Sequence, residues 1–429
     1  MNSRYKFFVV TSSTCLAVML LIGAVVGKGA PANEPYKHLS VYSEVVSRIK
    51  SDYVEEPDMK SVTLGAVNGL LEALDPYASY LSPDQYKQYL KKDQAKGSVG
   101  LMLSRRFGYV GVVDAIHGSP ADKAGLGTGD MLESIRGIST RDMPLAYAEL
   151  LLQGEPGTTV ELSVLRVRKP EPQKITLTRA IVTNPPVTAT MLDGGIGHIR
   201  VYTLEKGKSR EIATAISNLQ KQGMKKLVLD VRNAAAGDPE EGTALANLFM
   251  DKGLITYLQG QKVPRQNFEA QPDKMVYSGP LVVITNRGTA RGAEIAAAAV
   301  QDAKRAEVVG ERTYGDAALR RVVNTEDGAA VILSVAKYYS PSGKAIQDVA
   351  VTPNHPVAEQ EAPLDIEENG ATPDPQSDES KAPSEDLLLK KAIEVLNGKA
   401  VEQRASTAAT KSLENSQRGL TPLHIPQNK

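Results

Sequence analysis

Residues 281–302 read LVVITNRGTARGAEIAAAAVQD and contain the transition that indicates the fold. The stretch 281–285 is a short, continuous apolar run of the kind that forms a strand buried on both faces. The stretch 292–302 is rich in alanine, the residue with the highest helix propensity, and is predicted to be a helix. A buried strand followed by a helix is one step of a parallel sheet, so an α/β fold is predicted.

The same alternation of strand and helix continues over residues 182–357. Further apolar strands are predicted at 196–201 and 226–231. The spacing of apolar side chains predicts helices at 209–222 and 240–252. Because helices cover the faces of parallel sheets, these residues are predicted to form one α/β core domain.

Upstream of the core the pattern changes twice. Residues 96–181 contain short β-rich segments separated by glycines, with one helical piece at 145–152. This pattern is typical of a small, half-open β-barrel. Between residues 41 and 90 apolar side chains recur at three- and four-residue spacing, so residues 31–95 are predicted to form a helical region.

An apolar run lies near the start of the chain, at residues 7–27, and is preceded by Arg4 and Lys6. About 20 apolar residues span the hydrocarbon core of a bilayer, which favours an uncleaved membrane anchor within residues 1–30. A cleaved signal peptide is the alternative, but its apolar region is normally shorter and ends in a small-residue site. The positive charge before the run favours a single pass with the N-terminus inside and the soluble part outside. For a bacterial protein this means the inner membrane, with the soluble part in the periplasm.

The residues after the core, 358–429, differ in composition from the rest. Residues 358–380 hold eight acidic and no basic side chains, which predicts a disordered acidic linker. Ser384 is predicted to cap a short helix at 385–396, and the remaining residues are a polar tail.

Composition excludes several classes of protein. Among the 429 residues, 50 are basic and 50 acidic, so no global positive field is present to collect nucleic acid. One cysteine cannot form an intrachain disulfide, and five scattered histidines argue against a zinc cluster. Neither a cofactor nor a metal ion is expected.

Three groups of motifs occur in order along the chain. The helical region contains Leu74-Asp75-Pro76 and Ser79-Tyr80-Leu81. The β-rich region contains Gly118-Ser119-Pro120-Ala121 and Gly129-Asp130. The core contains Leu229-Asp230-Val231-Arg232-Asn233, Thr313-Tyr314-Gly315 and Tyr338-Tyr339-Ser340-Pro341-Ser342-Gly343. With this order and spacing the chain resembles the carboxyl-terminal processing peptidases, also called tail-specific proteases, over about residues 41–357. The resemblance implies a PDZ domain at 96–181, placed before a protease core of the ClpP/crotonase-like α/β type.

The resemblance also assigns the catalytic positions of that family, which cleaves peptides with a serine, a lysine and a supporting glutamine. The serine position falls at Arg291, the lysine position at Asp316 and the glutamine position at Arg320. The segment that forms the oxyanion site ends here in Ala236-Gly237, where the family has two glycines. A guanidinium stays protonated and cannot attack a carbonyl, so no catalytic residue is expected to be intact.

The residues at the three former catalytic positions are expected to contact one another. Because the family's lysine must approach its serine, Arg291 and Asp316 are predicted to form an ion pair. Arg320 is expected on the same strand face as Asp316, with Arg287 and Arg312 nearby.

The peptide-binding part of the PDZ domain is predicted at Ser98, Val99, Gly100 and Leu101. A loop of this form presents backbone N–H groups to the carboxylate at the end of a peptide. A loop that merely packs is the alternative.

Three functions are therefore open. The favoured hypothesis is an inactive, membrane-anchored homologue that binds polypeptide C-termini or protein partners through its PDZ domain. The second is a serine-type peptidase with residual or relocated activity in the processing of exported proteins. The third is a regulatory subunit with an occluded peptide groove, present as a homodimer or paired with an active homologue.

Overall fold

The computed structural model describes residues 34–92, 96–166, 171–358 and 386–398. The described chain forms two compact units, and the boundary lies between Val67 and Asn68. The apolar run at 7–27, most of the acidic linker and the polar tail lie outside the described residues. Among the helices described, none is long and apolar enough to cross a membrane.

The N-terminal part is helical, with one exception. Its helices are α1 (Glu34–Asp52) and α2 (Met59–Glu72), and the Asp58 carboxylate accepts hydrogen bonds from the first turn of α2. The expectation of a purely helical region was wrong at β1 (Ser79–Leu81), a strand that is followed by α3 (Pro83–Tyr89). Strand β1 pairs with a strand some 250 residues later in the chain, a partner that local periodicity does not reveal.

The β-rich region forms one antiparallel sheet. Its strands are β2 (Leu101–Arg106), β3 (Tyr109–Ala115), β4 (Met131–Ile135), β5 (Ile138–Ser139), β6 (Thr159–Leu165) and β7 (Gln173–Thr178). They lie in the order β2-β3-β4-β6-β7, with β5 beside β4. Two helices, α4 (Pro120–Lys123) and α5 (Leu145–Leu152), accompany this sheet, and α5 lies where the sequence predicted it. Strand β2 is thus at the edge of the sheet.

The core begins with an α/β part that contains the three strands and three helices that the sequence predicted, although the helix predicted at 240–252 ends at Asn247. Its elements are β8 (Thr188–Leu192), β9 (Ile196–Arg200), α6 (Lys208–Lys221), β10 (Lys226–Asp230), α7 (Pro239–Asn247), β11 (Leu254–Gln259), β12 (Gln266–Glu269), β13 (Leu281–Thr285), α8 (Gly292–Asp302) and β14 (Glu307–Gly310). Strands β9, β10, β13 and β14 are parallel neighbours, and β8 joins antiparallel at the edge. Fully buried side chains such as Ile199, Ile212 and Ile295 belong to the core beside this sheet, each contributing about 1.5–3 kcal/mol by burial.

A second core sheet was not predicted. It is formed by β15 (Ala318–Asn324), β16 (Ala330–Tyr339), β11, β12 and β1, in the order β1-β16-β11-β12 with β15 beside β16. Most side chains of β15 are exposed or half-buried and do not alternate between apolar and polar, so its sequence lacks a strand signal. Strand β17 (His355–Pro356) extends the parallel sheet beyond β14.

The last described element is helix α9 (Leu387–Leu396), which packs on β13 and β14 through Leu388 and Ala392. The predicted cap, Ser384, lies outside the described residues. The structure instead places Asp386 at the cap, where its carboxylate accepts a hydrogen bond from Leu389 N at 3.0 Å. The helix therefore begins two residues later than predicted, because aspartate caps as well as serine.

Candidate functional site

The turn between β13 and α8 ends in an unusual backbone conformation. Arg291 has a φ of 54°, in the left-handed region that side chains other than glycine rarely adopt. Such a conformation costs about 1–3 kcal/mol and persists where the surrounding contacts require it. One of these contacts is the hydrogen bond from Arg291 N to Glu294 Oε2, at 3.1 Å.

Glu294 joins this turn to the segment 313–316. Its fully buried carboxylate accepts hydrogen bonds from Gly315 N at 2.7 Å, from Asp316 N at 2.8 Å and from the hydroxyl of Thr313. Burial raises the pKa of Glu294 to about 7, although these donors oppose the shift. Glu294 thus holds Asp316 beside the start of α8.

The predicted ion pair is present. Arg291 Nε lies 2.9 Å from Asp316 Oδ2, and Arg320 donates to the other oxygen of the same carboxylate. Burial alone would raise the pKa of Asp316, but the two guanidinium groups hold it below its ordinary value. The guanidinium of Arg320 also stacks on the ring of Tyr77, 3.8 Å from its centroid.

One detail of the predicted cluster was wrong. Asp316 precedes β15, and the strand has a bulge at Arg320, so the two residues do not share a strand face by simple alternation. Arg287 and Arg312 lie near the cluster as predicted, since they line one cavity together with Tyr77 and Gly315. Their own partners are different: Arg287 pairs with Glu311 at 3.4 Å, and Arg312 donates to backbone carbonyls.

Glu149 is a further charged residue at this cluster, and the sequence analysis missed it. It lies on α5 and is half-buried. Burial raises the pKa of Glu149 above its ordinary value, and the nearby charges of Arg291 and Arg320 offset only part of this rise. Glu149 is the one acidic residue in LAYAELLL, the sequence of α5. A single charge in an otherwise apolar helix was the available signal, since such a charge is rarely buried without a partner.

The segment 234–237 is packed between the sheet of β2–β7 and the core. Ala235 belongs to a small buried apolar cluster with Val113 and Ala290, and Ala236 O accepts a hydrogen bond from Leu204 N at 2.7 Å. A side chain at Gly237 would place its Cβ 2.7 Å from Leu204 O, so this position requires glycine. The alanines are not among the residues with positive φ; the left-handed non-glycine residue here is Asn233.

The predicted carboxylate loop has the expected backbone form. Gly100 has a φ of 81°, and a Cβ there would lie 2.3 Å from Ser119 Cβ, so only glycine fits. Val99 is fully buried and its carbonyl accepts a hydrogen bond from Ala121 N at 3.0 Å. The hydroxyl of Ser98 accepts a hydrogen bond from Gly100 N at 3.1 Å. Gly100 N is thus already engaged within the chain, as is Ser98 N, which donates to Ala180 O at 2.9 Å.

The groove beside this loop, between β2 and α5, is filled in part by the chain itself. Pro76 O accepts a hydrogen bond from Arg105 N on β2 at 3.3 Å, and the Ser79 hydroxyl accepts one from Ala146 N on α5 at 3.4 Å. Tyr77 lies between these two contacts and is buried in the core of the β2–β7 sheet. Residues 76–79 therefore bridge both walls at the end of the groove that is farther from Gly100.

Comparison with known proteins agrees with this architecture. Residues 195–357 match peptidase family S41, and residues 111–166 match the PDZ domain. A carboxy-terminal-processing protease of Bartonella bacilliformis is 30% identical over 339 residues, which cover 76% of this chain and 76% of the relative. A carboxyl-terminal-processing protease of Synechocystis is 31% identical over 340 residues, covering 75% of this chain and 79% of the relative.

One solved structure is similar to this chain in both fold and sequence. The photosystem II D1 C-terminal processing protease superposes with a TM-score of 0.62 at 28% identity, over 74% of this chain and 92% of that chain. The likeness therefore extends over both the PDZ and the core segments. From the matched domains, the relatives and this structure together, we conclude that the chain belongs to peptidase family S41, among the carboxyl-terminal processing proteases that carry a PDZ domain.

Proposed function

We propose that this protein is a catalytically inactive member of its family that binds polypeptide C-termini through its PDZ domain. The observation that carries the proposal is the Arg291–Asp316–Arg320 cluster. By resemblance, these residues occupy the positions of the serine, lysine and glutamine that the family uses for catalysis. At the serine position lies a cation that is held in an ion pair at 2.9 Å.

The chemistry of the cluster opposes peptide cleavage. A guanidinium remains protonated and has no lone pair to attack a carbonyl. Asp316 has a lowered pKa, which makes it a weak base, and two arginines already occupy its oxygens. Thr289, the nearest hydroxyl along the chain, donates to Val231 O at 2.9 Å. Loss of the nucleophile alone lowers turnover by about a million-fold in a serine protease.

Peptide binding is supported by the carboxylate loop. A PDZ loop binds a terminal carboxylate through backbone N–H groups, and the peptide then adds a strand to the exposed sheet edge. Gly100 has the positive φ of such a loop, and β2 is an edge strand. Because residues 76–79 fill the far end of the groove, the bound stretch is expected to be short.

The filled groove also favours the regulatory alternative. If residues 76–79 stay in place, the protein acts through its surface, as a homodimer or in a pair with an active homologue. In either case we propose that residues 7–27 anchor it in the bacterial inner membrane with its soluble part in the periplasm. Protease accessibility in spheroplasts, compared with intact cells, tests that placement.

A cleavage assay tests the proposed inactivity. The wild-type chain is incubated with casein and with a fluorogenic peptide that ends in small apolar residues, and is also treated with a fluorophosphonate probe. We expect neither turnover above the buffer blank nor labelling. The triple variant Arg291→Ser, Asp316→Lys, Arg320→Gln is run beside it, with Arg321→Gln as a control that alters an exposed arginine of the same strand. Turnover by the wild type would refute inactivity, whatever the triple variant does.

A further inference from the structure

A cavity of about 420 Å³ lies between β2 and the segment 313–315, and its lining is strongly basic. The arginines that line it come from three parts of the chain: Arg105, Arg106, Arg287 and Arg312. Among the described residues that line it, Asp348 is the one acidic residue, and its carboxylate is paired with Lys337 at 2.9 Å. The cavity, called the arginine cavity below, therefore carries an excess of positive charge.

Two of the four arginines already have carboxylate partners. Arg105 lies 2.8 Å from Glu72, and Arg287 lies 3.4 Å from Glu311. Arg105 nevertheless retains an unused donor: its side chain is only 2% exposed, and within the described part of the chain its Nε has no hydrogen-bond partner. A buried donor without a partner costs free energy until a ligand or water satisfies it.

Among the described residues, the other two arginines have no carboxylate partner. Arg312 donates to the backbone carbonyls of Asp348 and Val349, at 3.1 and 2.9 Å, and these groups carry no charge. Arg106 is exposed, and across residues 34–92, 96–166, 171–358 and 386–398 its side chain has neither an ion pair nor a hydrogen bond. Within the described part of the chain, two guanidinium groups therefore line the cavity without a carboxylate partner of their own.

The arginine cavity also adjoins a surface that binds extended backbone. Its lining includes Pro76, Tyr77 and Arg105. Pro76 O accepts a hydrogen bond from Arg105 N, the backbone amide of β2 at this point. A peptide whose C-terminus lies at Gly100 would run along β2 toward Arg105, a distance of about 13–17 Å at ~3.3 Å per residue. The strand edge at Arg105 is already taken by Pro76. A longer peptide must leave the edge at this point, and the arginine cavity is the adjoining space.

We propose that the arginine cavity binds the carboxylate side chains of a client polypeptide, at aspartate or glutamate residues about four to six positions before the C-terminus. This inference rests on the proposed binding of the C-terminus at the PDZ loop, and it names the class of client: chains with an acidic stretch shortly before a neutral end. Charge-assisted hydrogen bonds from guanidinium to carboxylate supply the selectivity.

Fluorescence anisotropy with the full chain tests the proposal. The probes are fluorescein-labelled decapeptides that end in Ala-Val-Ala with a free carboxylate, and that carry upstream either four glutamates or four glutamines. At low salt we expect the glutamate peptide to bind about tenfold more tightly, since two exposed guanidinium contacts together contribute about this factor. The advantage should disappear in 0.5 M salt, which is about the point where screening removes exposed contacts.

Variants assign the effect to the arginine cavity. Arg106→Gln and Arg312→Gln should each remove about threefold of the advantage, and the double variant nearly all of it. Arg321→Gln, an exposed arginine outside the cavity, should keep the advantage intact. Since Arg106 has no partner in the described structure, Arg106→Gln should melt at the wild-type temperature by circular dichroism.

The outcomes separate the two proposals. Equal affinity for the glutamate and glutamine peptides would overturn the proposal for the arginine cavity, and so would an equal loss of affinity for the glutamate peptide in the Arg106, Arg312 and Arg321 variants. In both cases, binding of both peptides would still support the proposed PDZ function. Binding of an amidated glutamate peptide with no binding of the free glutamine peptide would overturn the PDZ function and support the cavity. Failure of every peptide to bind would overturn both.

Discussion

Replacing Arg291 by alanine removes one of the two guanidinium groups that neutralise the buried carboxylate of Asp316. Breaking a fully buried ion pair costs about 3–5 kcal/mol, because the surviving charge is left without a partner. Here Arg320 still contacts the carboxylate, and the side chain of Arg291 is 30% exposed and therefore partly screened. We therefore expect Arg291→Ala to lower the free energy of unfolding by about 2 kcal/mol.

The backbone strain at position 291 does not contribute to this value. Alanine meets the same steric cost as arginine at a φ of 54°, so the strain cancels in the comparison. Arg291→Gly loses the same ion pair but relieves the strain, and it should be about 1 kcal/mol more stable than Arg291→Ala.

The assay is a double-mutant cycle with Arg291→Ala, Asp316→Ala and the double variant, measured by urea unfolding and circular dichroism. We expect a coupling energy of about 2 kcal/mol between the two sites. The exposed pair of Asp84 and Lys87, 3.4 Å apart on α3, is the matched control and should couple by less than about 0.5 kcal/mol.

A coupling for Arg291 and Asp316 no larger than that of the control pair would refute the reasoning. It would mean that the carboxylate is neutralised by Arg320 alone, and that Arg291 is free to contact a client. The pH dependence gives a second check. The lowered pKa of Asp316 means that its contribution is present above the unfolded pKa near 4 and is lost as the pH falls below it.

Three further predictions concern other parts of the molecule. Burial raises the pKa of Glu294 to about 7, so its contribution to stability should be lost as the pH rises from 5 to 8. Burial also raises the pKa of Asp114, to about 8, which acts in the same direction, so Glu294→Gln should make the fall in urea titrations shallower without abolishing it; an unchanged slope would contradict the assignment. Gly100→Ala should lower stability by more than about 2 kcal/mol and abolish C-terminal peptide binding, whereas Gly118→Ala, which has a similar φ but open space, should cost about 1 kcal/mol and keep binding. Asp386→Asn removes the 2.7 Å ion pair with Arg232 and should speed hydrogen exchange in α9; unchanged exchange there would show that apolar packing alone docks this helix.

Much of the local structure could be predicted from the sequence. Strand β13 and helices α5 and α8 lie at the predicted residues, because their apolar and alanine-rich patterns encode contacts within one turn or one strand. The Arg291–Asp316 pair could also be predicted, since the resemblance specifies which positions meet although 25 residues separate them.

Contacts between distant segments were decided only by the tertiary structure. Strand β1 pairs with β16, residues 76–79 fill the groove between β2 and α5, and Glu149 lies near Arg291 on a different domain. None of these contacts produces a periodic pattern in the sequence, because each depends on how elements that are distant along the chain pack against one another.

The arginine cavity shows the same division. The sequence by itself determined a balanced total charge and, through periodicity, an α/β core that follows a β-rich region, since composition and periodicity are local properties that can be read along the chain. The protease-like fold and the PDZ domain followed from the family resemblance of its motifs. Only the tertiary structure decided that Arg106 of β2 and Arg312 of the core line one space, and that neither has a carboxylate partner among the residues the structure describes. Whether a charge is compensated depends on its distance from other charges in three dimensions, and that distance is set by packing.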